Sequence, residues 1–337
     1  MKSLPPIKNA MLMAAGLGTR LKPFTDLVPK PMLPLMGVPM AQFAVDMLAQ
    51  AQVENIVANI HHLPELSKEG FKSLELPQSC KIQISDESQL LLGSAGGAKK
   101  ALPLLGAGPF YWVNADVLCE VDLEELKKRH FELKEKFGVH LTITVFPEGP
   151  EPGAYREILY NDQGLVTGLT EPVKKRPFFA SVAIVEPEAL AGVPSGPAEF
   201  VPTIFLPAIL AQKAGVYLAS GAWSDVGSPA LWYETHIKLM DQIEKGQCPK
   251  LWQTRIEKQS HRLASSIWAS KNVKGPVTWS APAYWSPLSS GYTAQAGQVK
   301  PEKLGPGAIL YGDLLSGAGK SSALKSGIGL GKKWVDL

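Results

Sequence analysis

The segment of the chain that could most readily do chemistry lies near its start and is rich in glycine. It reads AAGLGTRLKPFT from Ala14 onward and continues to Lys30. Glycines let the backbone pass close to a phosphate group and turn its N–H groups toward the anion. Thr19, Arg20 and Lys30 add hydrogen-bond donors and positive charge. Because a nucleoside triphosphate requires all of these groups, we expect this segment to bind one.

Two familiar phosphate-binding motifs do not fit the chain. A dinucleotide-binding fingerprint would need a third glycine at position 21, where the chain has Leu21, and an acidic residue about 20 positions further on. Near the other end, the run from Gly319 to Ser321 resembles the end of a P-loop, but the first glycine of that motif would fall at Leu314. We therefore set both motifs aside.

Four further blocks of sequence follow the glycine-rich segment, and their order identifies a family. They are NIHHLPE at 59–65, LGSAGG at 92–97, VNADVL at 113–118 and WSDVGSP at 223–229. Together with the glycine-rich segment, they resemble the sugar-phosphate nucleotidyltransferases over about 240 residues. This resemblance implies an enzyme that joins a nucleoside triphosphate to a sugar-1-phosphate and releases pyrophosphate.

The resemblance also implies which side chains carry the chemistry. Arg20 is expected to hold the β- and γ-phosphates, and Lys30 to bridge the α-phosphate and the phosphate of the sugar. Asp116 and Asp225 match the two aspartates that hold Mg²⁺ in the family, and Asp116 counts among the catalytic residues. The sugar-phosphate oxygen is already an anion, so the reaction needs positioning and charge neutralisation rather than an activated side-chain nucleophile.

Further positions are expected to bind the nucleotide and the sugar. The nucleotide-binding set is Ala15, Gly16, Gly18, Thr19, Gly96 and Gly97, and the sugar-binding set is Asn114 and Glu171. For the two glycines at 96 and 97, a glycine-containing helix start without a ligand role is the alternative. His61 and His62 have no evident partner cluster, so we favour a structural role for them over metal binding.

The chain departs from the family pattern at two places that bear on the sugar. Pro172 follows Glu171 where many members have a lysine, and Lys174 or Lys175 is the candidate replacement. Arg156 follows Tyr155 where a glycine is frequent. Since the phosphate and metal residues are all present, these departures leave the expected reaction unchanged.

The elements that must position these residues alternate along the first 246 residues. Continuous apolar runs predict buried strands, and longer amphipathic stretches predict helices. The strands are expected at 10–15, 55–60, 81–84, 110–114, 141–146, 157–160 and 180–185, and the helices at 40–51, 93–105, 123–137 and 230–243. This alternation predicts an α/β fold with a Rossmann-like, mostly parallel sheet flanked by helices.

A second domain is expected after the catalytic domain of residues 1–246. Residues 247–337 are rich in Gly, Pro, Ser and Trp and show no helix-length period. Snippets at 304–310 and 328–331 resemble hexapeptide repeats. We expect a small β-rich cap or an element that joins copies into a homo-oligomer; a degenerate left-handed β-helix and a disordered tail are the alternatives.

Composition bounds the partners and the location. A net charge of +3, with 34 basic and 31 acidic residues spread along 337, provides no basic run that would follow a nucleic-acid backbone. No stretch has the apolar length of a membrane span, and a short secretory signal at the start is less favoured than a buried strand. The three cysteines form no zinc or disulfide pattern, so we expect a cytoplasmic protein.

The substrates stay open at this point. The residues of the family blocks most resemble those of enzymes that use GTP and mannose-1-phosphate. A UTP-dependent enzyme acting on an amino-sugar or N-acetylmuramate 1-phosphate is the alternative. A non-catalytic nucleotide-sugar-binding regulatory subunit and a bifunctional acyltransferase are the competing classes. The intact Arg20, Lys30, Asp116 and Asp225 argue against the regulatory subunit.

Overall fold

The protein is described by a computed structural model. The described residues are 4–22, 24–26, 28–147, 155–170 and 177–258, together with five short strands between 284 and 335. The chain divides into two compact units that are discontinuous in sequence. The first consists of Met1–Leu17, Pro29–Pro31 and Ala44–Ser224, and the second of Gly18–Val28, Met32–Phe43 and Asp225–Leu337. The domain boundary at 246 stays a prediction.

A seven-stranded sheet forms the centre of the first unit. Its strands are β1 (Asn9–Met13), β4 (Asn55–Ile60), β5 (Lys81–Asp86), β6 (Phe110–Asn114), β8 (Leu141–Phe146), β11 (Phe178–Val185) and β12 (Ala214–Leu218). They lie in the order β12-β8-β11-β6-β1-β4-β5. All neighbours run parallel except where β11 pairs antiparallel with β6 and with β8. The prediction of a mostly parallel sheet is therefore confirmed.

The other strands described before residue 246 are short. They are β2 (Pro34–Leu35), β3 (Val38–Pro39), β7 (Val117–Cys119), β9 (Ile158–Tyr160), β10 (Val166–Leu169) and β13 (Trp223–Asp225). β9 and β10 form an antiparallel pair, with Asn161 supplying side-chain bonds to the turn between them. Asn161 and Gly164 are of residue types that tight turns favour, and Gly164 has a positive φ of 82°.

Six α-helices accompany the strands in the part of the chain described before residue 246. They are α1 (Met40–Gln50), α2 (Pro64–Ser73), α3 (Gly93–Leu105), α4 (Leu123–Phe137), α5 (Leu206–Leu210) and α6 (Pro229–Glu244). α4 has the predicted bounds because Asp122 caps its first turn through the N–H groups of Glu124 and Glu125, and Gly138 ends it with a positive φ of 64°. Among the described residues, no helix combines the length and apolarity needed to cross a bilayer.

Small side chains on α3 bring this helix against the sheet. Ala95, Ala98 and Ala101 are fully buried in the same cluster as Met11 and Val57 of the central strands. Residues this small let a helix approach a sheet closely, so the start of α3 lies near the strand ends that precede the predicted site. The helix therefore fixes the position of Gly96 and Gly97 relative to β1 and β4.

The second unit is organised around α6. Trp232 Nε1 donates to the Pro34 carbonyl oxygen at 3.0 Å, and the Met36 N–H donates to His236 Nε2 at 3.1 Å. Because Trp232 and His236 are four residues apart on one helix face, they hold the hairpin of β2 and β3 together.

A helix at residues 250–258 was not predicted, and its buried Trp252 packs edge-on against Phe43. The sequence shows no helix-length period here because these nine residues bury only two apolar side chains, those of Trp252 and Ile256. Further along, the described segments are β14 (Tyr284–Ser286), β15 (Ile309–Tyr311), β16 (Leu314–Ser316), β17 (Ile328–Leu330) and β18 (Lys333–Val335). The β-rich C-terminal domain, the β-helix and the homo-oligomer stay predictions.

Candidate active site

Lys30 and Asp116, 86 residues apart in sequence, form an ion pair in the first unit. Asp116 lies in the turn that follows β6, and Lys30 begins a short 3₁₀ helix. Lys30 Nζ donates to Asp116 Oδ2 at 2.7 Å, with side-chain exposures of 9% and 30%. Burying a lysine is unfavourable unless its charge is paired, so this pair is a built feature rather than a surface contact. Two residues predicted to act together are thus in contact.

The start of the glycine-rich segment continues directly from β1. The Ala14 N–H donates to Asn59 Oδ1 at 2.8 Å, which anchors the first residue after the strand. Ala14 and Ala15 are buried, whereas Gly16 is exposed. A Cβ added at Gly16 would meet no atom within 4 Å. The backbone at Gly16 is therefore open to a ligand, as the phosphate-binding prediction requires.

The rest of this segment belongs to the second unit and is shaped by Gly18. Gly18 has a φ of 64°, a conformation that glycine adopts without strain. Its carbonyl oxygen accepts from the Leu21 N–H at 2.8 Å and from Thr25 Oγ1 at 2.9 Å. These bonds form a tight turn that leaves Thr19 and Arg20 exposed. The predicted donors therefore face solvent rather than the core.

Arg20 and Asp225 meet at Gly227 in the second unit. A Cβ added to Gly227 would lie 2.8 Å from Asp225 Oδ2 and 3.0 Å from Arg20 Nη2. A Cβ at this position would therefore displace the ends of two side chains, although the backbone conformation itself accepts one. The structure brings together the predicted pyrophosphate-binding arginine and one predicted metal ligand.

The glycines at the start of α3 are fixed by contacts within the protein. The N–H groups of Ala95 and Gly96 both donate to the Ala198 carbonyl oxygen, at 2.9 and 3.0 Å. A Cβ on Gly96 would come within 2.3 Å of the Gly196 carbonyl oxygen. The close approach of the Gly196 carbonyl explains the glycine at position 96 without a ligand. Its role in nucleotide binding stays a prediction.

The structure describes some of the remaining predicted residues and leaves others outside its described part. Asn114 is half-buried at the end of β6, two residues before Asp116. Glu171, Lys174 and Lys175 lie outside the described residues. His61 Nδ1 contacts the Glu87 carbonyl oxygen at 2.7 Å, in agreement with a structural role.

Two buried residues in the first unit were given no role from the sequence. Asn59 and Glu87 are each 1% exposed and lie between the glycine-rich segment and the start of α3. Asn59 stands in one of the family blocks and Glu87 follows β5, but only the fold shows that they touch. Polar residues at the carboxyl ends of two neighbouring parallel strands were the signal that could have found them.

The chemistry of the donors fits a divalent cation with oxygen ligands. Mg²⁺ prefers one or two carboxylates together with substrate phosphates. Asp116 is partly exposed and lies in a turn after a parallel strand, and Asp225 is half-buried. No group of three or more His, Cys, Asp or Glu side chains with metal-binding geometry occurs in the described part of the chain. Asp116 belongs to the first unit and Asp225 to the second, so their joint role as metal ligands stays a prediction.

Comparison with known proteins finds relatives of this chain. The chain is 32% identical to the mannose-1-phosphate guanyltransferase of Aspergillus oryzae over 229 residues, which cover 66% of the chain and 61% of that protein. It is 30% identical to the N-acetylmuramate alpha-1-phosphate uridylyltransferase of Neisseria meningitidis, covering 65% of the chain and 93% of that protein. The match thus spans 61% of the length of the guanyltransferases from A. oryzae and Schizosaccharomyces pombe.

Solved structures share the fold. HddC from Yersinia pseudotuberculosis, in a complex with GMP-PN, superposes with a TM-score of 0.56 at 21% identity, covering 69% of this chain and 99% of that one. A UDP-glucose pyrophosphorylase complexed with UDP-glucose gives 0.56 at 20% identity, covering 70% and 99%. The sequence profile that describes nucleotidyl transferases matches residues 9–242, which contain the glycine-rich segment, Asp116 and Asp225. The chain therefore belongs to the nucleotidyl transferase family.

Proposed function

We propose that the protein transfers a nucleoside monophosphate unit from a nucleoside triphosphate to a sugar-1-phosphate, forming a nucleotide-sugar and pyrophosphate. The observation that carries the proposal is the ion pair between the buried Lys30 and the partly exposed Asp116, in a chain whose family profile covers both residues. A lysine held in a poorly hydrated position interacts strongly with anions that displace the remaining water. Such a charge suits a reaction between two phosphates.

The proposed reaction balances without a covalent intermediate on the protein. An oxygen of the sugar phosphate attacks the α-phosphorus, a new P–O bond forms, and the bond to the β-phosphate oxygen breaks with release of pyrophosphate. Lys30 neutralises charge on the α-phosphate and the sugar phosphate, while the exposed Arg20 binds the leaving pyrophosphate. Positioning and charge neutralisation therefore account for the rate enhancement.

The proposal includes Mg²⁺, held by Asp116 and Asp225. When bound, the ion neutralises phosphate charge and fixes the orientation of the triphosphate. Asp116 would hold the ion through its carboxylate, which Lys30 contacts at Oδ2. The exposed backbone at Gly16 and the turn at Gly18 supply the N–H groups for the phosphates.

For the substrates we favour GTP with mannose-1-phosphate. The support is the similarity to mannose-1-phosphate guanyltransferases of several fungi at 29–32% identity. UTP with N-acetylmuramate 1-phosphate is the second candidate, because the match to the Neisseria uridylyltransferase covers 93% of that protein. We further propose that the protein acts in the cytoplasm and that residues 247–337 cap the site or join copies of the chain.

A substrate panel tests the proposal. Purified protein is incubated with each of four nucleoside triphosphates and with mannose-, glucose- and N-acetylmuramate-1-phosphate, and pyrophosphate release is followed with Mg²⁺ and with excess EDTA. We expect release only when both substrates and Mg²⁺ are present, and fastest with GTP and mannose-1-phosphate. Nucleotide binding without release in any combination would favour the regulatory class.

A further inference from the structure

Asn59 and Glu87 form a buried polar pair that touches both predicted nucleotide-binding segments of the first unit. Asn59 lies near the end of β4 and Glu87 directly after β5. Asn59 Nδ2 donates to Glu87 Oε1 at 2.7 Å, and both side chains are 1% exposed. A buried amide–carboxylate pair is retained only if its polar atoms are satisfied, so the contacts around it are informative.

One end of the pair holds the glycine-rich segment, and the other holds the start of α3. Asn59 Oδ1 accepts from the Ala14 N–H at 2.8 Å, and Glu87 Oε2 accepts from the Leu92 N–H at 3.0 Å. An ionised carboxylate can only accept, so the amide of Asn59 has one orientation that satisfies both neighbours. The three bonds therefore run in a fixed sequence from Ala14 to Leu92.

Gly97 of α3 packs against the bond between Asn59 and Glu87. A Cβ at Gly97 would lie 2.5 Å from Glu87 Oε1 and 2.7 Å from Asn59 Nδ2. The helix backbone thus rests directly on the bond between the two side chains. A shift of either side chain would move Gly97 together with Ala14, although neither Asn59 nor Glu87 is exposed to a ligand.

We propose that Asn59 and Glu87 are positioning residues that set the spacing between the glycine-rich segment and the start of α3, and thereby the affinity for the nucleoside triphosphate. The proposal rests on the proposed function in one respect: it takes these two segments to contact the nucleotide. It goes further by assigning specific binding energy to two side chains that do not touch the nucleotide.

A polarity swap tests the pair. In Asn59→Asp alone, two carboxylate oxygens face each other; in Glu87→Gln alone, the new amide faces a donor at one end or the other. The double variant Asn59→Asp, Glu87→Gln restores all three bonds. The new carboxylate at position 59 accepts from the Ala14 N–H and from the new amide at position 87, whose oxygen accepts from the Leu92 N–H. We expect each single variant to weaken triphosphate binding by about tenfold or more, and the double variant to recover most of it.

Asn55→Asp is the matched control. Asn55 stands on the same strand and is also buried, and its side chain bonds Asn9, Leu104 and Gln83 at the far end of β4. We expect Asn55→Asp to lower the midpoint temperature of thermal unfolding while leaving the affinity for the triphosphate within about twofold of wild type. For the Asn59 and Glu87 variants, the KM of the sugar-1-phosphate should likewise change by less than about twofold.

Binding and turnover are measured separately so that two failures can be told apart. Affinity for GTP and UTP with Mg²⁺ is measured by calorimetry on the full chain, and turnover by pyrophosphate release. Absent turnover in wild type with intact binding would overturn the proposed function alone. Unchanged affinity in both single variants, or a double variant that binds no better than they do or fails to fold, would overturn the positioning role. Wild-type protein that binds neither nucleotide would overturn both.

Discussion

Gly227→Ala offers a sharp test of the site in the second unit because the substitution disturbs side chains without straining the backbone. Gly227 has no positive φ, so alanine is compatible with its conformation. The added Cβ would lie 2.8 Å from Asp225 Oδ2 and 3.0 Å from Arg20 Nη2. The atoms it meets are therefore the ends of two side chains with predicted roles.

The size of the effect follows from these distances. Ordinary contact begins at 3.4 Å, so from 2.8 and 3.0 Å the carboxylate must move by at least 0.6 Å and the guanidinium by 0.4 Å. Misplacing a positioned group by 1 Å can reduce catalysis by about a hundredfold. We expect kcat to fall by about ten- to a hundredfold, equivalent to about 1.4 to 3 kcal/mol in the barrier. The free energy of unfolding should change by less than about 1 kcal/mol, since flexible ends can move and alanine restricts the unfolded chain.

The assay pairs initial rates of pyrophosphate release with urea unfolding. Gly192→Ala is the control, because its Cβ would meet no atom within 4 Å and its backbone also tolerates alanine. That variant should keep wild-type rate and stability. If Gly227→Ala folded normally and also kept the wild-type rate, Arg20 and Asp225 would not act at the positions that the structure gives them.

Three further predictions concern separate features. Gly16→Ala should leave the unfolding midpoint unchanged, because the added Cβ meets no protein atom within 4 Å. It should raise the KM of the triphosphate by about tenfold, because the Cβ would occupy space that a phosphate needs to reach the backbone. A wild-type KM would argue against contact between a phosphate and the backbone at Gly16. Lys30→Met should reduce kcat by at least about a hundredfold. The free energy of unfolding in urea should fall only modestly, because Asp116 is 30% exposed and water can solvate its unpaired charge. Equal losses of rate and of folded protein would contradict this. Burial lowers the pKa of His236 to about 4 from 6.5, so the unfolded state binds more protons between these values and stability is lost as the pH falls through them. Urea unfolding should therefore show about 2 kcal/mol more loss from pH 7 to pH 5 in wild type than in His236→Gln; parallel curves would refute it.

Much of the sheet could be predicted because its strands are buried on both faces. The predicted bounds of 55–60, 110–114 and 141–146 are those of β4, β6 and β8, and these strands are apolar except for the asparagines of β4 and β6 and the threonines of β8. α2 and β12 were missed. α2 carries only two buried residues, Ser67 and Phe71, so its apolar period is weak.

The site could be predicted only where local sequence carries the chemistry. The glycine-rich segment and the turn at Asp116 are local, and family blocks mark both. The bond between Asn59 and Glu87 joins residues 28 positions apart, and one of the two side chains that crowd Gly227 is that of Arg20, which is distant in sequence. Such contacts depend on strand order and crossover geometry, which composition and spacing do not encode.

The measurement that tests the central claim most directly is ³¹P NMR of the protein with GTP, mannose-1-phosphate and Mg²⁺, repeated with UTP and N-acetylmuramate 1-phosphate. The proposed reaction predicts resonances of a nucleoside diphosphate ester and of pyrophosphate in equal amounts, absent in Asp116→Asn and in Asp225→Asn while both variants stay folded. Free phosphate without a sugar diphosphate, or full product formation by either variant, would contradict it.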